Sequence, residues 1–314
     1  MAEPTLNDLH VDQALTDFSV AYFQQPGSYI APQAFPVQLV AQRSNKYYKY
    51  DRNELLRSDA EKRAPRTKGA RRGYVLSNET YNCEVYSIGV GVSEQDRANA
   101  DPALDPEEDA ARVTVQDMRI RMDVDWTAAA FSTAIWATES TATWNTSTGD
   151  PIGDIQTGIK TMLSQTGFRP NTLVLGADAW YNALWSSTAI LARLPDNAPR
   201  IVTTDFIGNL FDLDRVFIAE GVRFSGDQGT TGNPAFIHGD HALLMHTNPT
   251  AGLREPTAGK TFVWSGLVGG GEGIRTKRLD VPDEDLMPLV ETDAAFDFKV
   301  TATDLGFLIK DVIS

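Results

Sequence analysis

The stretch from Asp105 to Phe131 constrains this chain more than any other. Asp105 is a good N-cap and Pro106 suits a first helical position. Glu107, Glu108 and Asp109 complement the positive end of a helix, with Glu108 at capping-box spacing. Ala111, Val115, Met118, Met122, Trp126 and Ala129 then recur at steps of three and four, which predicts one apolar stripe through five or more turns. At 1.5 Å per residue the helix is about 40 Å long. An element of that length is a spine on which other elements are laid.

Other segments are shorter. A second helix is predicted from Asp150 and Pro151, with Ile152, Ile155, Ile159, Met162 and Leu163 on one face and a stop at Gly167. Thr172 to Leu175 reads as a buried strand, and Ala177 to Leu184 and Asp205 to Phe211 as short helices. Short strands are predicted at Arg215 to Ala219, Ala235 to His238, Ala242 to His246 and Thr261 to Trp264. The last twenty residues alternate through Phe296, Phe298 and Val300, then Leu305, Phe307 and Ile309, as long strands do. Upstream, Phe35 to Val40 reads as a strand with its proline near the start, and Tyr81 to Val92 as a return strand. This order is α+β rather than a repeating βα pattern. Residues 1–35 carry little core material and read as an arm that only other copies of the chain would order.

Composition narrows the class. The chain has 314 residues, and Cys83 is its single cysteine, which excludes an intramolecular disulfide and a cysteine-built metal site. No run of 18 apolar residues occurs, so no membrane span is expected. The first ten residues include Glu3, Asp8 and His10 without a basic or apolar run, so no signal peptide is expected either. Charge is uneven. Eleven Lys and Arg face four Asp and Glu between Arg43 and Arg72, a net of +7, while the whole chain is −14, which leaves −21 for the rest. A basic element on an acidic body is built to meet something acidic, either nucleic acid or a second copy of the chain.

No catalytic signature survives inspection. Gly259-Lys260-Thr261 ends like a phosphate-binding loop, but Arg254 stands where its first glycine is required and a strand follows where a helix is needed. Gly269 to Gly273 lacks the strand-to-helix context of a dinucleotide loop, and no G-x-S-x-G elbow exists. His238, Asp240, His241 and His246 are the one cluster of metal-ligand types. On strands His238 and His241 would face opposite sides, so partners from the fold or from water are expected in place of a metal. Neither a cofactor nor a catalytic residue is therefore assigned. Lys46-Tyr47-Tyr48-Lys49-Tyr50 interleaves cations with aromatics and could stack bases; the alternative is an exposed hairpin strand that packs on a neighbouring subunit.

Taken in order, the Phe35-Pro36-Val37 strand, the Lys46-Tyr47-Tyr48 loop, Arg97 to Ala100 with the spine helix, Gly149 to Ile155, Arg169 to Gly176 and Ala179 to Leu184 resemble a major capsid protein of tailed bacteriophages with the Hong Kong 97-type fold. The resemblance implies an N-terminal arm at 1–35 and a strand with an extended basic loop at 36–80. A peripheral domain at 81–171 would hold the spine helix, an axial domain would span 172–262, and the chain would return to the peripheral domain at 263–314. It implies hexamers and pentamers of an icosahedral shell around double-stranded DNA held without sequence specificity. A separate scaffolding protein, a portal and, where present, a decoration protein are the other implied partners. The virion capsid, assembled in the host cytoplasm, is the implied location. Lys46, Tyr48, Lys62, Arg63, Arg66, Lys68, Arg71 and Arg72 are the residues expected to touch neighbouring subunits. A cellular nanocompartment shell of the same fold and a soluble nucleic-acid-binding protein that uses the 43–72 loop are the competing readings.

Overall fold

The computed structural model describes residues 24–50, 56–73, 76–93, 98, 105–194, 201–227, 230–250, 255–268, 273–279 and 289–314. A short helix α1 (Ala31–Ala34) leads into strands β1 (Val37–Val40), β2 (Ser44–Tyr50), β3 (Leu76–Asn82) and β4 (Glu84–Gly91). The spine helix α2 (Pro106–Ala130) follows, then β5 (Thr138–Thr141), α3 (Pro151–Thr166), β6 (Thr172–Gly176), a π-helical segment (Ala179–Leu184), α4 (Thr188–Leu191) and α5 (Thr204–Phe211). The remainder is β7 (Arg215–Ala219), β8 (Val222–Arg223), β9 (Ala235–Phe236), β10 (Ala242–Met245), β11 (Gly259–Trp264), α6 (Ser265–Val268), β12 (Ile274–Leu279), β13 (Leu289–Val300) and β14 (Gly306–Lys310). The architecture is α+β.

Both long helices begin and end as their sequences dictate. The Asp105 carboxylate accepts the N–H of Glu107 at 3.0 Å, and that of Asp150 accepts the N–H of Gly153 at 3.0 Å. Gly167, at φ 77°, supplies the left-handed residue that closes α3. The buried face of α2 is rotated from the predicted stripe. Ala110, Thr114, Met118, Met122, Trp126 and Ala130 are buried, an unbroken step of four, whereas Ala111, Val115 and Ala129 are only half-buried. Asp123 is buried with them, because it has a structural task described below.

One sheet is organised by β13, which pairs with β4 along residues 289–296. Phe296 also pairs with Val263 of β11, and Ala294 with Ile274 of β12, so β11 and β12 follow one another along the opposite edge of β13. β1 adds in parallel to β11. The second sheet has the order β5-β14-β10-β6-β7. Val174, Leu243, Met245 and Leu308 on one face of it join the core under the spine helix. Leu173, Leu175, Leu244, Phe307 and Ile309 on the other face join a core with α3. Both faces of the sheet are covered, which is why β6 and β10 read as continuous apolar runs. α3 comes close to the sheet at Gly158, where a Cβ would stand 2.7 Å from Leu244 Cδ1.

Three expectations change. Residues 24–35 are not part of a free arm: Tyr29, Ile30, Ala31, Ala34 and Phe35 are buried in their own subunit, and residues 1–23 lie outside the described residues. Pro32 and Gln33 break the apolar run and hide this core material from a periodicity argument. The predicted 81–92 strand is split at Cys83, so that β3 joins β2 in a separate ribbon while β4 joins β13. The boundary expected at 262/263 falls inside β11, and residues 263–314 supply β12 and β13 to one sheet but β14 to the other.

Asp123 ties these parts together. Its Oδ1 accepts the N–H of Ala31 at 2.8 Å and its Oδ2 that of Ile30 at 3.4 Å, capping α1 from the middle of the spine. His238 Nε2 lies 3.2 Å from the same Oδ2, and His238 Nδ1 lies 2.9 Å from Thr127 Oγ1. Burial, and secondarily the Asp123 charge, push the Tyr29 hydroxyl up to about 12. Asp123→Ala leaves two N–H groups and a histidine without their acceptor, and is expected to cost about 3–5 kcal/mol in urea denaturation. Asp123→Asn, which keeps one acceptor oxygen, should cost less.

Candidate inter-subunit surface

The basic segment is carried by a two-stranded ribbon. β2 and β3 are antiparallel, with Lys46 opposite Thr80 and Tyr48 opposite Asn78. Strand alternation puts Lys46 and Tyr48 on one face and Tyr47 and Lys49 on the other. Lys46 is exposed and Tyr48 is 66% exposed. Tyr47 turns inward instead: its hydroxyl donates to Glu79 Oε2 at 2.6 Å, and its ring lies 5.6 Å from that of Phe262. Tyr81 stacks on the same Phe262 at 4.6 Å. The tyrosines of the Lys46 to Tyr50 run are thus divided, with Tyr47 helping to fasten the ribbon to β11. Tyr81 and Phe262 carry no signal in the sequence for this fastening role, whereas the alternation of Tyr47 with Lys46 and Tyr48 places Tyr47 on the opposite face from them.

Glu79 sits between Tyr47 and Lys49, whose Nζ is 3.1 Å from Oε1. The Tyr47 hydroxyl, more than the lysine, holds the Glu79 carboxyl below the usual range, while burial and the hydrogen bond to Glu79 raise that of Tyr47. A carboxyl whose value is lowered on folding stabilises the ribbon above its unfolded pKa, and that contribution is lost as pH falls through the folded value. Tyr47→Phe should therefore move the Glu79 titration upward, towards an ordinary glutamate, as measured by carboxyl NMR. An unmoved titration would remove Tyr47 from this role.

Beyond the ribbon, residues 56–73 have almost no regular structure, and nearly all are exposed. Thr67 N–H donates to Ala64 O at 3.3 Å, with Pro65 and Arg66 (φ 68°) between them, so Arg66 occupies a turn position that favours glycine and is presented at the apex. Among the described residues no ion pair reaches Lys62, Arg63, Arg66, Lys68 or Arg71. Arg72 differs from the other candidates. It lies 3.5 Å from Asp59, which also pairs with Arg57 at 2.8 Å, and it donates to Arg57 O, closing the neck of the loop.

A groove of about 480 Å³ lies at the base of the ribbon, lined by Glu84, Asp125, Asp297 and Lys299 with Tyr86, Phe296 and Phe298, and Asp125 is paired with Arg121 at 2.8 Å. Burial raises the Asp297 carboxyl despite the Asn82 N–H, which it accepts at 2.8 Å, and despite Lys299 at 3.6 Å.

The histidines do not gather. His238 and His241 both lie in the connection between β9 and β10, so the strand-face argument does not apply to them; Phe131 stands between, 5.9 Å from each ring. His241 Nδ1 accepts the N–H of Asp311 at 3.2 Å beside Asp240, and His246 Nδ1 lies 2.8 Å from Arg169 O. Ligand-type atoms of Asp240, His241 and Asp311 come within 4.8 Å of one another, apart from His238 and His246.

No protein-family profile matches the chain. Over 225 residues, 68% of this chain and 69% of the other, it is 23% identical to the major capsid protein of Burkholderia phage BcepMu. In structure it is similar to a phage-related protein of Bordetella bronchiseptica RB50, with a TM-score of 0.70, 15% identity, and 92% and 94% of the two chains covered. The capsid of cyanophage P-SCSP1u aligns at 0.59, with 10% identity over 94% and 93%. The chain has the Hong Kong 97-type capsid fold. The SrpI encapsulin of Synechococcus elongatus shares this capsid fold at a TM-score of 0.60 and 12% identity, over 99% and 97% of the chains.

Proposed function

We propose that this chain is the major capsid protein of a tailed phage, a structural protein that performs no chemistry. The observation that carries the reading is the cationic loop tip, displayed on an anchored ribbon and, among the described residues, without ion pairs in its own chain, on the capsid fold. In this reading the tip lies on the acidic surface of an adjacent copy, which the body's net charge of −21 makes abundant. Copies assemble into hexamers and pentamers of an icosahedral shell, and the spine helix with the β13 sheet forms its peripheral layer. The body left at −21 faces packaged double-stranded DNA without sequence preference. A scaffolding protein, a portal and, where present, a decoration protein complete the assembly, which takes place in the host cytoplasm before the shell becomes part of the virion.

The sequence relative favours a phage shell over a nanocompartment. Negative-stain microscopy of the full chain, purified and concentrated, should show rings of five and six or closed shells that persist in high salt. Particles that retain a protein cargo instead of nucleic acid during production in cells would favour the nanocompartment. A monomer at every concentration, with duplex binding that falls linearly on a log–log salt plot, would remove the shell reading altogether.

A further inference from the structure

Beyond β14 the chain meets the connection between β9 and β10, and a mixed set of donors comes together there. Asp240 and His241 lie in that connection, and Asp311 follows β14 directly, 70 residues after His241. One ligand-type atom from each, two carboxylate oxygens and an imidazole nitrogen, lies within 4.8 Å of the others. His241 Nδ1 is 3.5 Å from Asp240 Oδ1. Among the described residues no Lys or Arg pairs with Asp240 or Asp311, so two carboxylates converge without a lysine or arginine to offset their charge.

Each member of the set is held by contacts of its own. Asp240 O accepts the Val312 N–H at 3.1 Å and its Oδ2 accepts the Ile313 N–H at 3.3 Å, while Oδ1 is the oxygen nearest His241. His241 O accepts the Gly176 N–H at 3.0 Å, and β6 comes so close that a Cβ on Gly176 would stand 1.9 Å from Gly239 O. The His241 ring lies 5.9 Å from that of Phe131, and its Nδ1 accepts the Asp311 N–H at 3.2 Å. In the neutral ring that bond puts the proton on Nε2 and leaves the Nδ1 lone pair on the side of the carboxylates. Donors fixed in this way lose little freedom when an ion binds.

We propose that Asp240, His241 and Asp311 form a binding site for one divalent transition-metal ion, with zinc as its type. The two carboxylates neutralise the ion, and the imidazole nitrogen selects it over magnesium and calcium, which take oxygen ligands. Binding exchanges the Asp311 N–H at Nδ1 for the ion, and water completes the coordination, since Asp311 is exposed. The ion ties the last residues of the chain to the start of β10. Asp240 and His241 thus take a metal where their sequence predicts partners from the fold or water, and their third ligand is distant Asp311 in place of His238 or His246. The site lies within one copy and does not depend on shell formation.

The test is calorimetric titration of zinc chloride into the untagged full chain after treatment with EDTA. One equivalent per chain is expected, and the amides of Val312 and Ile313 should exchange more slowly with zinc than without it. Asp311→Asn and His241→Gln should each weaken binding about tenfold or more, whereas His246→Gln, outside the set, should leave it unchanged. Because Asp311 is exposed, Asp311→Asn should keep the wild-type urea midpoint in EDTA, so that its loss of binding reports the missing ligand. Magnesium chloride should give no comparable heat. The absence of a stoichiometric zinc heat in the wild type overturns the proposal. So does a heat that persists undiminished in both variants, or one that His246→Gln removes.

Discussion

Removing residues 1–35 should abolish the folded state, whereas removing residues 1–23 should leave the subunit folded. The first truncation takes away Tyr29, Ile30 and Phe35, each 2% exposed or less, and Phe35 packs edge-on against Trp126 at 5.9 Å between ring centres. Loss of large core side chains costs about 3 kcal/mol each. Three of them approach the whole stability of a typical domain, about 5–15 kcal/mol. The truncation also leaves Asp123 buried without the N–H groups of Ile30 and Ala31. Truncation at 23 removes none of the described core. Tryptophan fluorescence during urea titration reads the difference, since Trp126 is fully buried. If removal of 1–35 leaves the urea midpoint unchanged, the Tyr29 to Phe35 segment is not part of the core.

The second large effect is on assembly. Among the described residues Arg66, Lys68 and Arg71 have no ion pair, so reversing all three to Glu perturbs little of the described subunit. Each reversal removes two units of charge, which takes the Arg43 to Arg72 window from +7 to +1. Exposed pairs are worth about 0–1 kcal/mol each. Three at about 0.5 kcal/mol amount to about a tenfold change at each contact, and on the proposed reading a shell repeats that contact throughout. At about 10 mM salt the triple variant should therefore form few or no particles. The deficit should narrow at 150 mM, where the Debye length is about 8 Å. Arg72→Glu belongs in a separate experiment, because it also opens the loop neck at Asp59. Normal particles that hold less DNA would mean that the tip faces the genome.

What could be read from the sequence follows from where each signal resides. Asp105 with Pro106, Asp150 with Pro151, and Gly167 act locally through their own backbone, and their helices begin and end where those residues stand. The middle of the spine stripe, Met118, Met122 and Trp126, is buried as expected, but its ends are displaced by one residue to Ala110, Thr114 and Ala130, and polar Thr114 and Asp123 are buried through tertiary partners, Thr292 and the α1 backbone. Polar strands were invisible to periodicity: β5 reads Thr-Glu-Ser-Thr, and β12 alternates arginine, lysine and threonine, with Lys277 held by Glu291 and Asp293 at 2.8 Å. At the candidate surface the charge of the loop was plain from composition. The division of labour between Tyr47 and Tyr48, and the internal engagement of Arg72, required the positions of Phe262 and Asp59.

The two sheets share a consequence for synthesis on the ribosome. β13 is the strand on which β4, β11 and β12 all depend, and β14 joins β5 to β10 in the other sheet. Both lie within 289–314, after every other strand in sequence order. Neither sheet can close while those residues remain in the exit tunnel, and pairing across such sequence separations is slow once they emerge. A nascent subunit is thus kept from completing either sheet until residues 289–314 have emerged, so chains made only up to that point lack the finished surfaces that the proposed assembly would use.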